Sequence, residues 1–148
     1  MPTNHAFELR SARLADAAEV ARLSTQLGYP ANEREMAGRL DAVLSAADRH
    51  VFVAARGQRL WGWIGIELRT TLETGLKAEI VGLVVDDEAR RSGVGRALVD
   101  AAEAWVREQG LHTLMVRSNT ARVESHPFYQ GLGFVRRKSQ HVYFKALD

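Results

Sequence analysis

Ala89-Arg-Arg-Ser-Gly-Val-Gly-Arg-Ala-Leu98 holds two glycines one residue apart, three arginines and the first turn of an apolar helical pattern. From Gly93 onward, Val94, Leu98, Ala101, Ala102 and Trp105 recur at helical spacing, Arg96, Asp100, Glu103 and Arg107 take the opposite side, and Gly110 supplies a stop. Before it, Lys77 to Val85 reads as a strand whose end, residues 80–85, is apolar on both faces, as a central strand requires. After it, His112 to Arg117 reads as another strand. Residues 77–117 therefore predict a βαβ unit with the helix as its crossover.

Working outward, Phe7 to Arg13 alternates like a strand, and Asp16 to Leu27 places Ala17, Val20, Leu23 and Leu27 near helical spacing before Gly28. Asn32-Glu-Arg-Glu35 has the form of a capping box, which predicts a second helix to about Ser45 with Met36, Leu40, Val43 and Leu44 on its apolar face. Residues 51–55, the Arg56–Arg59 turn and Leu60 to Leu68 read as a hairpin. A short helix near Phe128 to Leu132 and extended segments at Phe134 to Arg137 and His141 to Leu147 complete the chain. This order implies an α/β (α+β) fold, a mixed sheet with helices on its faces.

The 148 residues are expected to form one domain, and 46% hydrophobic with 26% charged residues is ordinary for a globular protein. The formal charge is only +2, and the sequence pI near 9.3 reflects arginine standing in for lysine, of which there are three. A nucleic-acid surface would have to be assembled from Arg90, Arg91, Arg96, Arg136 and Arg137, and no clustered basic footprint announces it, so no nucleic-acid partner is expected. No cysteine is present, which removes thiolate metal sites and a cysteine acyl-enzyme. The five histidines, at 5, 50, 112, 126 and 141, lack ligand spacing, so no metal is expected. The N-terminus has no apolar signal-like run and no stretch approaches a membrane span, which by default places the chain in the cytoplasm and away from membranes.

The glycine loop fits neither common phosphate-binding template. A Walker A loop needs Gly-Lys-Ser/Thr, and a dinucleotide fingerprint needs a third glycine where Arg96, Ala97 and Leu98 stand. What remains is a basic turn at a helix N-terminus, where free N–H groups and the positive end of the helix dipole converge. A tight turn carrying solvated arginines is the plain structural alternative.

Arg90-Arg-Ser-Gly93-Val-Gly95 resembles the Arg/Gln-x-x-Gly-x-Gly/Ala signature of the GNAT N-acetyltransferase superfamily, and Asn119 followed by Phe128-Tyr129-Gln-Gly-Leu-Gly133-Phe134 resembles its downstream Asn…Phe-Tyr-x-x-x-Gly-Phe element. The resemblance extends over essentially the whole chain and is weak before residue 48. It implies a GNAT-like fold, a mostly antiparallel mixed sheet with a central parallel βαβ unit and helices on both faces. It also implies acetyl-CoA as co-substrate, with the pyrophosphate at Arg90, Arg91, Ser92, Gly93, Val94, Gly95 and Arg96, the pantetheine arm along Leu83, Val84 and Val85, and Asn119 at the mouth of the gap. Gly82 either eases a bulge there or packs closely.

Deprotonating a lysine-like amine of pKa ~10.4 at pH 7 costs roughly 4.6 kcal/mol, so a base would help. Glu79 is the candidate, on the strand where many family members carry a glutamate and, by alternation, on one face with Val81 and Leu83; Glu73 and Glu67 are alternatives, as is a solvent-facing carboxylate. Tyr129 matches the tyrosine that protonates the departing thiolate, against a tyrosine merely packed in the core. His126 or Ser125 is expected to cap the helix that Pro127 opens. The resemblance places the acceptor near Gln26 and Tyr29. Trp61 and Trp63 would add an aromatic wall if their shared face turned to the cleft, core packing being the alternative. A small-molecule primary amine is the first acceptor expected, a protein lysine or N-terminus the second. A non-catalytic acyl-CoA-binding module and a homodimer joined through His141–Phe144 also remain open.

Overall fold

The computed structural model describes residues 7–148. Apolar and β-branched runs in the middle of the chain build a five-stranded sheet: β1 (Glu8–Ser11), β2 (Arg49–Arg56), β3 (Arg59–Thr71), β4 (Gly75–Val85) and β5 (Met115–Val116). Spatial order follows chain order, antiparallel through β4, with β5 joining β4 in parallel. That parallel step requires a crossover, and the crossover is the helix expected from the glycine loop. The Gly57-Gln58 turn closes the β2–β3 hairpin, and β3 and β4 run beyond their expected limits to meet at Thr71 and Gly75.

Between β1 and β2 lie α1 (Ala17–Leu27) and α2 (Glu33–Leu44). Gly28 ends α1 in the left-handed conformation, φ 105°, a shape that costs glycine nothing. The capping box of α2 forms as expected: Asn32 Oδ1 accepts from the Glu35 N–H at 2.8 Å, and Glu35 Oε1 accepts from the Asn32 N–H at 3.0 Å. Ala17, Val20, Ala21 and Leu23 of α1 join Met36 and Leu40 of α2 over Val51, Val53, Ala55, Leu60 and Val84 of the sheet. On the opposite face lies α3 (Val94–Glu108), whose Trp105 stacks on His50 of β2, a position alternating with Val51. Val94, Leu98, Val99, Ala102 and Val106 of α3 are buried at spacings of three and four, one face of the helix.

Two bulges interrupt the sheet. Ala54 pairs with Gly62 and Ala55 with Leu60, which leaves Trp61 as the extra residue of β3; Gly65 pairs with Gly82 and Ile66 with Ile80, which leaves Val81 as the extra residue of β4. Each bulge exchanges the faces of the residues beyond it.

The chain divides into two compact units, one running to Val116 and the other Arg117–Asp148. The second contains α4 (Ser125–Gly131) and, among the described residues, no strand. The extended segments expected at 134–137 and 141–147 are not strands here, and Val135, Val142, Tyr143, Phe144 and Leu147 are exposed. Their composition favours a strand, but a strand exists only where a neighbour supplies the ladder. For the same reason β5 is two residues long rather than six.

Leu23, wholly buried between helices and sheet, and Asn32, exposed at a cap, separate core from cap energetics. Leu23→Ala is expected to cost about 2–5 kcal/mol and Asn32→Ala about 0.5–2 kcal/mol in urea unfolding at neutral pH.

Candidate active site

The turn into α3 is an amide cradle. Arg91 adopts φ 64°, the left-handed region that side chains seldom enter, and Gly93 follows at φ 89°. Ala97 N–H is the first to bond back into the helix, to Gly93 O at 3.0 Å, so the N–H groups of Val94, Gly95 and Arg96 have no intrahelical acceptor. Ser92 Oγ donates to Ala89 O, which tightens the turn. Arg91, Ser92, Gly93 and Arg96 are exposed, Gly95 is half-buried, and the Val94 side chain is buried as the helix's first anchor. Arg90 pairs with Asp87 at 3.1 Å, which leaves Arg91 and Arg96 as the outward charges of the loop. Such a turn fits a phosphate anion: adjacent N–H donors, a positive helix end and two arginines.

The root of this loop is a buried carboxylate. Asp86 is 1% exposed, and its Oδ2 accepts from Arg22 Nη1 at 2.9 Å and lies 3.4 Å from Arg59 Nη2, while Oδ1 accepts from the Glu88 N–H at 3.0 Å. Its own N–H donates to Trp61 O, the carbonyl of the β3 bulge residue. Burial pushes the carboxyl up, but the Glu88 amide and Arg22 outweigh that and hold it below the usual aspartate value. Arg22 is in turn gripped by Glu19, and its guanidinium is held above its ordinary value.

Further back along β4, the Val81 bulge decides which side chains share a face. Glu79 pairs across with Glu67, so the two carboxylates share the face that also carries Trp63, whereas Leu83 pairs with Ile64 and lies on the other face. The expectation that Glu79, Val81 and Leu83 share one face is thus corrected at Leu83, because the extra residue resets the alternation. Val84, paired with Trp63, is buried, while Leu83 and Val85 are half-buried. Glu79 is no solvent-facing carboxylate: it is 4% exposed and accepts from Arg69 Nη2 at 2.5 Å. Arg69 Nε lies 3.3 Å from Glu67, which also pairs with Arg49 at 3.6 Å. Glu73 lies in the exposed β3–β4 turn.

Trp63 and Trp61 go separate ways. Trp61 lies beside Phe7 and under the Arg56 guanidinium, whereas the Trp63 ring covers Gly82, where a Cβ would fall 2.7 Å from it. Gly82 therefore both adjoins a bulge and packs closely. Trp63 Nε1 is buried with no acceptor among the described residues. Gln26 Oε1 accepts from the Asp87 N–H at 3.1 Å, tying the end of α1 to the turn that leads into the glycine loop, while Tyr29 is 59% exposed.

In the second unit, Tyr129 stands edge-on between Phe128 and Phe134, centroids 5.1 and 5.5 Å away, and burial raises its phenol above the ordinary value despite Arg122. At neutral pH it holds its proton. Asn119 Oδ1 accepts from the Ala121 N–H at 2.9 Å. Neither Ser125 nor His126 caps α4. The helix begins at Ser125 without a side-chain cap, and Pro127 falls third in its first turn, where a missing N–H still costs nothing. Among the described residues no group of three His, Asp or Glu is arranged to hold a metal, and no helix is long and apolar enough to cross a membrane. His5 lies outside the described residues. A cleft of about 360 Å³ between His50, Phe52 and Trp105 on the α3 face takes in none of the site residues expected from sequence.

Sequence reasoning missed Arg22, Asp86 and Arg69. Asp86 had a signal, an Asp-Asp-Glu run at a strand end with cap character, but its arginine partner is 64 positions away.

The model of the Acetyltransferase (GNAT) family matches residues 15–134. An aminoglycoside N(6')-acetyltransferase type 1 from Stenotrophomonas maltophilia is 32% identical over 143 residues, 93% of this chain and 91% of that protein. Among solved structures, an acetyltransferase from Trypanosoma brucei superposes with a TM-score of 0.79 at 25% identity, covering 94% of this chain and 99% of that one. An aminoglycoside N-acetyltransferase in complex with CoA superposes with 0.87 at 18% identity over 99% of both chains.

Because the folded Asp86 pKa is depressed, its stabilising contribution is complete above the unfolded value near pH ~4 and is lost as pH falls through the folded value. Asp86→Asn is expected to lower stability at pH 7 and to flatten the loss of stability below about pH 4 in acid titrations followed by circular dichroism.

Proposed function

Since this chain belongs to the Acetyltransferase (GNAT) family, we propose that it carries the acetyl group of acetyl-CoA to a primary amine on a small molecule, by direct attack in a ternary complex. The amide cradle at the start of α3 is the observation that carries this reading. It offers several N–H donors and two outward arginines at one point, and it lacks the lysine and hydroxyl that a phosphate-cleaving loop would need. A pyrophosphate is gripped there and left intact. Arg90, through its pair with Asp87, shapes the turn, and the main-chain amides of Val94 to Arg96 bind.

In the reaction, the amine nitrogen attacks the thioester carbonyl, a C–N bond forms, and the C–S bond breaks with its electron pair on sulfur. The amine proton passes to Glu79, directly or through water, and the Tyr129 phenol returns a proton to the thiolate. A phenol kept protonated by burial suits that second task. The Leu83–Val85 backbone and Asn119 are assigned to the pantetheine arm.

Acceptor preference follows from charge. Glu67 and Glu79 face each other across β3 and β4 and hold Arg69 between them. A cationic amine entering there takes over countercharge that Arg69 otherwise supplies, so amines with more than one positive charge gain most. Trp63 gives that face an aromatic surface and an unmet N–H donor. The aminoglycoside N(6')-acetyltransferase from Stenotrophomonas maltophilia supports the same choice, since its name specifies an aminoglycoside acceptor. Tyr29, exposed beyond the end of α1, is assigned to the acceptor's rim.

Thiol release from acetyl-CoA across a panel of diamines, polyamines, aminoglycosides and lysine peptides tests this. Polycationic small molecules are expected to give the highest kcat/KM. A preference for peptides would replace the acceptor assignment, and binding of acetyl-CoA without release for any amine would overturn turnover itself. Tyr129→Phe and Glu79→Gln are each expected to lower kcat by roughly 10²-fold or more while leaving coenzyme A affinity nearly unchanged.

A further inference from the structure

Three polar side chains at positions 19, 22 and 26 run along one stripe of α1, at i, i+3 and i+7, beside its apolar face. Each one reaches the region where β3 begins or β4 ends. Glu19 Oε1 accepts from the Leu60 N–H at 2.9 Å. Arg22 bridges Asp86 Oδ2 at 2.9 Å and Leu60 O at 3.0 Å. Gln26 Oε1 accepts from the Asp87 N–H at 3.1 Å.

The last of these contacts joins two ligand-facing segments. On one side, Asp87 opens a 3-10 turn, Asp87–Ala89, which runs into Arg90 and the amide cradle through the Ala89 N–H to Asp86 O and Ser92 N–H to Ala89 O bonds. On the other, Gln26 is two residues before Gly28, where α1 ends in a closed turn: the Gly28 N–H bonds Thr25 O at 3.1 Å and the Tyr29 N–H bonds Ser24 O at 2.9 Å. Fixing the cradle on an anion therefore restrains Asp87, and Asp87 restrains the turn that presents Tyr29. A packing role alone would not need the geometry found, in which an amide oxygen on α1 accepts from a backbone N–H 61 positions away.

We propose that Gln26 is a positioning residue that couples occupancy of the pyrophosphate loop to the order of the acceptor-side turn at Gly28 and Tyr29. The coupling rests on the cofactor assignment made above. Gln26 itself touches neither the cofactor nor the acceptor in this scheme, which replaces the direct acceptor contact expected for it from sequence. By linkage, whatever order coenzyme A confers on the turn, an acceptor that orders the turn returns as coenzyme A affinity.

Amide hydrogen exchange on the full chain, with and without coenzyme A, tests the proposal without requiring the acceptor. In the wild type, coenzyme A is expected to slow exchange at Val94–Arg96 and, by about fivefold or more, at Gly28 and Tyr29. Gln26→Met, close in size but without either hydrogen-bonding group, is expected to keep the first effect and lose the second. Slowing at Val94–Arg96 with none at Gly28 and Tyr29 in the wild type overturns the coupling, as does slowing at Gly28 and Tyr29 that persists in Gln26→Met. No slowing at Val94–Arg96 overturns the cofactor assignment and the coupling with it.

Discussion

A carboxylate taken out of water must be compensated, and Asp86 shows what that compensation organises. It is sealed from solvent where β4 ends, and it gathers Arg22 from α1, Arg59 from the start of β3 and the Glu88 amide from its own turn. Burial alone would favour the neutral acid; the partners keep it ionised. An ionised group in that position cannot tolerate sliding of any element that supplies a partner. The helix covering one face, the start of β3 and the root of the glycine loop are consequently held in one register.

The glycine loop depends on that register because its chemistry is main-chain chemistry. Amides aimed at an anion are useful only if the turn is set before the anion arrives, and preorganisation is what separates a binding loop from a flexible one. Left-handed conformations at Arg91 and Gly93 turn successive N–H groups outward. At Arg91 a side chain is carried in a conformation that costs it free energy, and the Asp87–Arg90 pair, the Ser92 hydroxyl bond and the buried Val94 anchor surround it. The cradle is in this sense held open by its own flanks.

How much of this the sequence made legible depends on the range of the interaction. Features decided within four or five residues were readable: the Asn32–Glu35 capping box, the Gly28 stop, the βαβ order and the start of α3 at the glycine pair. Features decided by a distant partner were not. The extra residues Trp61 and Val81 appear only when two strands are set in register, and without them alternation assigned Leu83 to the wrong face and paired Trp61 with Trp63. Arg22 and Asp86 look like ordinary surface charges until 64 positions of chain are folded between them. The C-terminal segment fails in the opposite direction, since its β-rich composition was legible but the ladder that would make it a strand is absent from Arg117–Asp148.

The Val81 bulge also bears on the base proposed at Glu79. Without the extra residue, Glu79 would keep strict alternation with Leu83, and one face of β4 would have to serve both the candidate base and the apolar side chain beyond it. With it, Glu79 sits opposite Glu67 on the Trp63 face while Leu83 turns to the other side. Two carboxylates at that separation repel unless a cation lies between them, and Arg69 is that cation. The pair is thus built around a positive charge from the outset. On the proposed function, an incoming ammonium would meet a site that already selects for its charge, and its binding free energy would be set by the difference between two cations in one place, a far smaller quantity than the attraction of either carboxylate alone.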